Sequence, residues 1–258
     1  MILDDIVEKR KLQLEHELKR TDRASMRKSA EVTADSGRSF KCALQGDSLS
    51  VIAEVKRASP SKGMICKSFN PVEIAVMYEK SGASAVSCLT EEHYFKGSSV
   101  YLSEIRKSID IPILRKDFII DEYQIYEARV LGADAILLIA AILDTNTLCG
   151  FKALADSLGL DCLFEIHDEA ELEKVMIAKP EIVGINNRNL KTFEVSLENT
   201  ERLAGLISKE CIIVSESGIR NGEDAASVRK YGANAILVGE TLMRSADVGK
   251  EMQRLRGD

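Results

Sequence analysis

Eight short apolar runs, each separated from the next by a stretch with helical spacing, leave this 258-residue chain few folds to choose from. They are Val51 to Lys56, Ala85 to Leu89, Ile111 to Lys116, Ala135 to Ile139, Cys162 to Ile166, Ile182 to Asn186, Cys211 to Glu216, and Ala235 to Val238. Each is of strand length and rich in Val and Ile, the composition of strands buried on both faces of a parallel sheet. Eight successive βα units close into a single (β/α)8 TIM barrel, an α/β fold that commonly occupies about 250 residues as one domain. Ser81-Gly82-Ala83-Ser84-Ala85-Val86, Leu131-Gly132-Ala133-Asp134-Ala135-Ile136 and Tyr231-Gly232-Ala233-Asn234-Ala235-Ile236 share one plan, with glycine where a helix ends and a strand begins. Glycine tolerates the left-handed backbone that terminates a helix. Duplication and convergence on a common turn both account for the repeat, and both give the same architecture.

Residues 1–50 precede the first strand and are not needed by the eight units. Ile2, Leu3, Ile6, Val7, Leu14 and Leu18 recur at helical intervals among Lys, Arg and Glu, which predicts an amphipathic helix able to cap an end of the barrel. Phe40 and Leu44, four apart, predict a second short helical piece nearby. No Ser/Gly linker separates this N-terminal helical extension, so 1–258 is expected to be one domain.

Polar residues stand where a barrel should be apolar. Alternation along the first strand sends Val51, Ala53 and Val55 toward the helices and Ile52, Glu54 and Lys56 toward the interior. A buried ion without a partner costs several kcal/mol, roughly, so a charged inner row needs a reason, either a structural Glu54–Lys56 pair or a functional site. The pattern recurs at Lys116, Glu165, Asn186 with Arg188, and Glu216 with Ser217, all at C-terminal strand ends. In parallel barrels those ends share the face on which active sites are built. Glu54, Glu165 and Glu216 are balanced in number by Lys56, Lys116 and Arg188, a set that contains both proton donors and acceptors. The seventh strand ends in Glu216-Ser217-Gly218 and the eighth in Val238-Gly239-Glu240-Thr241, where barrels of this class cradle phosphate. The segment Arg57-Ala58-Ser59-Pro60-Ser61-Lys62-Gly63 suits a lid, and equally a solvated connection. Asp168 reads as the N-cap of a helix from Glu169 to Ala178, and His167 as a structural or rim residue.

Composition removes other classes of function. Lys plus Arg total 35 against 41 Asp plus Glu, a formal charge of -6, and no basic run is long enough to attract nucleic acid. No stretch approaches the roughly 18 apolar residues a membrane span needs, and Met1 through Arg10 lack the plan of a signal peptide, so a cytoplasmic protein is expected. Cys42, Cys66, Cys88, Cys149, Cys162 and Cys211 are dispersed without a C-x-x-C and read as reduced packing residues. His16, His93 and His167 form no ligand pair, so no metal is expected.

Ile52-Ala53-Glu54-Val55-Lys56-Arg57-Ala58-Ser59-Pro60-Ser61, Leu89-Thr90-Glu91 with Phe95 and Gly97, Arg115-Lys116-Asp117-Phe118, Glu165-Ile166-His167, Gly184-Ile185-Asn186-Asn187-Arg188 and Ser215-Glu216-Ser217-Gly218-Ile219 together resemble indole-3-glycerol phosphate synthase. The resemblance spans essentially the whole chain. It implies a barrel of the tryptophan pathway that closes the pyrrole ring of 1-(2-carboxyphenylamino)-1-deoxyribulose 5-phosphate, with loss of carbon dioxide and water and with no metal or organic cofactor. By the same resemblance Lys116 is the general acid toward the substrate carbonyl, and Glu165 the acid/base partner in loss of the hydroxyl. Lys56, held by Glu54, contacts the anionic substrate and its phosphate and can donate a proton in dehydration. Asn186, Arg188, Glu216 and Ser217 complete the polar shell, and Ser59 joins them. Gly218, Gly239 and Glu240 hold the phosphate, and Phe95, Phe118 and Leu137 wall the anthranilate ring. A phosphoribosylanthranilate isomerase would instead need a Cys/Asp acid and base pair, and a non-catalytic barrel would have little use for charges at every strand end. The substrate is the implied partner, with room for other enzymes of the pathway.

Overall fold

The computed structural model describes residues 2–34, 36–59, 63–65, 69–190 and 192–257, with Ser59 described by its backbone alone. Parallel pairing runs once around a closed circle of eight strands: β1 (Ser50–Val55), β4 (Ala85–Leu89), β5 (Ile113–Lys116), β6 (Ala135–Ile139), β7 (Asp161–Ile166), β8 (Ile182–Asn186), β9 (Ile212–Glu216) and β10 (Ala235–Val238), which returns to β1. Two-residue strands β2 (Ala58–Ser59) and β3 (Gly63–Met64) form a separate antiparallel hairpin after β1. Pro60, Ser61 and Lys62, at the centre of the expected lid, lie outside the described residues, as does Cys66.

The strands match the apolar runs to within a residue or two. Lys56 falls one position beyond β1, and β5 starts at Ile113 because the preceding Pro112 has no N–H to give a ladder. The two faces separate as alternation requires. Val51, Ala53 and Val55 pack with helix residues such as Tyr78 and Leu102 in the outer core, whereas Ile52, Leu114, Leu137, Leu163, Val214 and Leu237 fill the barrel. Gly82, Gly132 and Gly232, at φ +89°, +86° and +109°, take the left-handed backbone expected between helix and strand.

Three helices precede the barrel. In α1 (Ile2–Arg20) the residues facing inward are Ile6, Arg10, Gln13 and Leu14. Helix α2 (Arg23–Val32), N-capped by Asp22, packs on α6 (Glu122–Leu131). Short α3 (Phe40–Ala43) buries Phe40 fully, together with Leu44, against the interior set of Ile52, Leu163 and Ala235. It is tied to the start of β7, where Asp161 accepts from the Lys41 N–H at 2.9 Å. Helix α3 therefore plugs the N-terminal mouth, and the other mouth is left for chemistry. No helix among the described residues is long and apolar enough to cross a membrane.

Candidate active site

Every strand-end residue expected to act at the C-terminal mouth is there. A cavity of about 1250 Å³ is lined by Glu54, Lys56, Lys116, Glu165, Asn186, Arg188, Glu216, Ser217, Gly218, Gly239 and Glu240, with Phe95, Phe118 and Leu137 on an apolar side. The Phe95 and Phe118 rings lie 6.1 Å apart at 37°, a tilted pair suited to one wall of a slot for a flat ring. Ile2, Leu3 and Ile6 at the start of α1 form part of the roof. The Ser59 side chain lies outside the described residues.

Lys116 is the centre of the charged group. Its ammonium is 2.7 Å from Glu216 Oε2 and 3.2 Å from Glu165 Oε2, although its two neighbours come from β9 and β7. Burial opposes the charge on Lys116, but Glu216, Glu165 and Glu54 outweigh it and hold the ammonium above the ordinary lysine range. Glu165 is almost fully buried, which by itself would raise it. Lys116 and His167 nonetheless draw it below the ordinary carboxylate value, helped by the Asn186 amide at 3.2 Å. Glu216 goes the other way: burial and the nearby Glu165 charge push it up to about 7 in spite of Lys116. Lys56 forms an ion pair with Glu54.

The backbone makes room for these groups at two glycines. A Cβ on Gly184 would collide with the Glu216 carboxylate, and one on Gly239 would collide with that of Glu54 and stand 3.1 Å from Lys56 Nζ. Lys56 therefore lies beside the expected phosphate cradle as well as beside Glu54. Ser217 and Gly218 turn the chain after β9 with φ +65° and +89°, and the Ser217 carbonyl is held by Asn187 Nδ2 at 3.0 Å. Glu240 opens α11 (Glu240–Arg244), and its carboxylate accepts from Arg244 at 3.0 Å.

One expectation needs correction. Arg188 does not balance the carboxylates: it joins no ion pair among the described residues, and its guanidinium donates to the Phe193 carbonyl at 3.3 Å. It sits on an isolated bridge to Val195 in the loop after β8, displaced from the strand end that carries Asn186. Near Lys116 the acids outnumber the bases, and the neighbouring Glu165 charge adds to burial in raising Glu216.

Several site residues escape a reading from sequence. Arg115 and Asp117 flank Lys116 and point out of the barrel into a buried network: Arg115 reaches Asp117 at 3.1 Å and Glu127 at 2.6 Å, and Arg10 of α1 reaches Asp117 at 3.2 Å. Glu91, fully buried, accepts from the N–H groups of His93, Tyr94 and Phe95 at 2.8, 2.8 and 2.9 Å, and so sets the loop that presents Phe95. Asp168 caps α8 (Glu169–Ile177) as expected. His167, expected as a structural or rim residue, has its ring 3.6 Å from Glu165. Among the described residues no three His, Cys, Asp or Glu are grouped to hold a metal ion.

A family model described as indole-3-glycerol phosphate synthase matches residues 3–255. A protein of that name from Ruminiclostridium cellulolyticum is 48% identical over 258 residues, covering 100% of this chain and 99% of its own. Another from Alkaliphilus metalliredigens is 48% identical over 257 residues, covering 99% and 98%. Among solved structures, 3-hexulose-6-phosphate synthase from Salmonella typhimurium superposes with a TM-score of 0.65 at 11% identity, over 81% of this chain and 97% of that one. Thiamine phosphate pyrophosphorylase from Pyrococcus furiosus gives 0.62 at 19%, over 81% and 94%. At such identities these two show the shared barrel alone.

Proposed function

The chain belongs to the indole-3-glycerol phosphate synthase family, and from that membership we propose how its own residues carry the reaction. The enzyme is a carboxy-lyase of tryptophan biosynthesis that converts 1-(2-carboxyphenylamino)-1-deoxyribulose 5-phosphate into indole-3-glycerol phosphate, carbon dioxide and water. In our reading the anthranilate ring is held against Phe95, Phe118 and Leu137, and the phosphate sits at Gly218, Gly239 and the Glu240 backbone beside Lys56. Anchoring both ends places the nucleophilic ring carbon next to the carbonyl, a proximity effect worth about 7 kcal/mol or more. Lys116 gives its proton to the carbonyl oxygen as the carbon–carbon bond forms, and carbon dioxide then leaves the same ring carbon. Lys56 supplies the proton with which the new hydroxyl departs as water, and Glu165 takes the proton whose loss restores aromaticity. Glu54 keeps Lys56 in place. Asn186 holds Glu165, Glu216 orients substrate hydroxyls, and Arg188 and Ser217 bind from the rim together with Ser59.

The observation that carries this reading is the Lys116 ammonium lodged between Glu165 and Glu216 inside one cavity. Residues 1–50 are in our reading part of the same domain as the barrel, which the ion pair of Arg10 with Asp117 and the burial of Phe40 in the barrel support. We place the enzyme in the cytoplasm, since the five cysteines among the described residues are all free. With a net charge of -6 it is given no nucleic-acid partner, and other enzymes of the same pathway are its candidate protein partners.

The test is turnover by the purified protein. Without added metal it should produce a rising indole fluorescence from the carboxyphenylamino substrate, on a low background because the chain has Trp 0. Lys116→Ala and Glu165→Gln should each lower kcat at least about a hundredfold. Near-normal turnover in either variant would show that its role is misassigned.

A further inference from the structure

We propose that His167 is a positioning residue for Glu165: fixed in one tautomer by Glu171, its imidazolium orients the Glu165 carboxylate, so that turnover follows the charge of this ring. The inference rests on the reading of Glu165 as the acid/base group and adds to it a residue that controls when that group is in place.

The geometry follows from the chain turning at the end of β7. His167 comes directly after the strand, Asp168 caps α8, and one helical turn brings Glu171 back over the ring. Glu171 Oε2 accepts from the His167 backbone N–H at 2.8 Å and stands 3.0 Å from Nδ1. An ionised carboxylate can only accept, so Nδ1 carries a hydrogen in both charge states of the ring. The proton that comes and goes is therefore on Nε2. That atom is buried, has no hydrogen-bond partner among the described residues, and faces Glu165 Oε1 at 3.6 Å. With the proton present, an N–H points at a carboxylate. Without it, a lone pair does, and attraction becomes repulsion against an oxygen that among the described residues otherwise has only the Asn186 amide to hold it.

The surroundings favour the charged ring. Glu165 faces it from β7, Glu171 from α8 and Glu216 from across the barrel on β9, while α9 (Glu198–Ala204) presents the neutral Asn199, whose amide donates to the His167 carbonyl at 3.2 Å. Burial works against the charge, but the hydrogen bond to Glu171 and the charges of Glu165, Glu171 and Glu216 prevail, and the ring titrates above the ordinary histidine value. A purely architectural role, starting α8, would require only the Nδ1 bond.

The experiment compares kcat against pH in the wild type, His167→Asn and Glu171→Gln, with the ring titration followed by carbon-13 NMR of labelled histidine. The chain has His 3, and the signal lost in His167→Asn assigns the third. Wild-type kcat should fall about tenfold as pH rises through the His167 midpoint. Glu171→Gln keeps an acceptor but removes a charge, and should move the midpoint and the kcat limb together to lower pH. His167→Asn should lose the limb and stay near the wild-type alkaline level, with KM within about twofold. A limb that persists in His167→Asn, or fails to move with the midpoint in Glu171→Gln, overturns the proposal. If His167→Asn does not fold, Glu171→Gln decides alone, because a helix-starting role is indifferent to that charge. A hundredfold loss in Glu165→Gln beside an unmoved limb sinks this inference only, whereas near-normal turnover in Glu165→Gln sinks the reading beneath it as well.

Discussion

At the scale of single residues, the site holds three acids, Glu54, Glu165 and Glu216, around two ammonium groups, and the surplus falls on Glu216. A carboxyl raised to about 7 in the folded chain binds a proton that the unfolded chain releases near 4.5. Between those values the folded state holds more protons, so this group costs stability as pH rises, on the order of 3 kcal/mol once both forms are ionised. Glu216→Gln should therefore gain stability relative to the wild type between pH about 4.5 and 7 while losing activity, and urea unfolding at pH 5 and pH 8 measures both arms. Gly239→Val would press a side chain onto the Glu54 carboxylate and beside Lys56 Nζ; we expect KM to rise at least about tenfold, and an unchanged KM would move the phosphate elsewhere. Glu54, Lys116, Glu165 and Glu216 were legible in the sequence because an ion on an inward strand row is anomalous by alternation alone. Arg188 lines the same cavity but pairs with none of these carboxylates among the described residues, because it follows Asn186 in a loop, where alternation no longer applies. His167 was read as a structural or rim residue; its contacts with Glu165 and Glu171 depend on Glu171 returning over the ring by a helical turn, which spacing permits but does not require.

Among the elements, α1 shows how far periodicity reaches. Its apolar spacing predicted a helix over the barrel, and α1 does lay Ile2, Leu3 and Ile6 over the cavity. The same rule assigned its charged residues to solvent, yet Arg10 is completely buried against Asp117 and Glu17. Glu17, two turns along the same helix, and Asp117, far along the chain, together make that position tolerable, and apolar spacing announces neither. Burial alone would raise Asp117, but Arg10 and Arg115 hold it below the ordinary value. Arg10→Ala would leave this carboxylate short of a partner in a dry site, a loss of about 3 kcal/mol or more in denaturant unfolding at pH 7. A change under about 1 kcal/mol would mean that water enters and replaces the guanidinium.

For the whole molecule, the barrel separates upkeep from chemistry. Phe40 and Leu44 fill the N-terminal mouth, and the acids and bases occupy the other. Phe40→Ala should cost about 3–5 kcal/mol of stability yet leave kcat within about twofold at a temperature where the variant stays folded. Heat denaturation and steady-state rates measure the two effects separately, and a large fall in kcat would show that the two ends communicate. The eight-unit plan was legible because each unit repeats one short grammar of apolar run, helix and glycine turn; the plug at Phe40 was seen only as a nearby helical piece, since four residues cannot say which opening they stop. The roof made by Ile2 and Leu3 also bears on how the enzyme is handled. A purification tag joined ahead of Ile2 would trail across the doorway through which substrate comes and product goes. α12 (Val248–Arg256), by contrast, finishes with Arg256 bonded to the Gly82 carbonyl at 3.0 Å, at the turn leading into β4, so a tag joined after Gly257 would hang from the blind side.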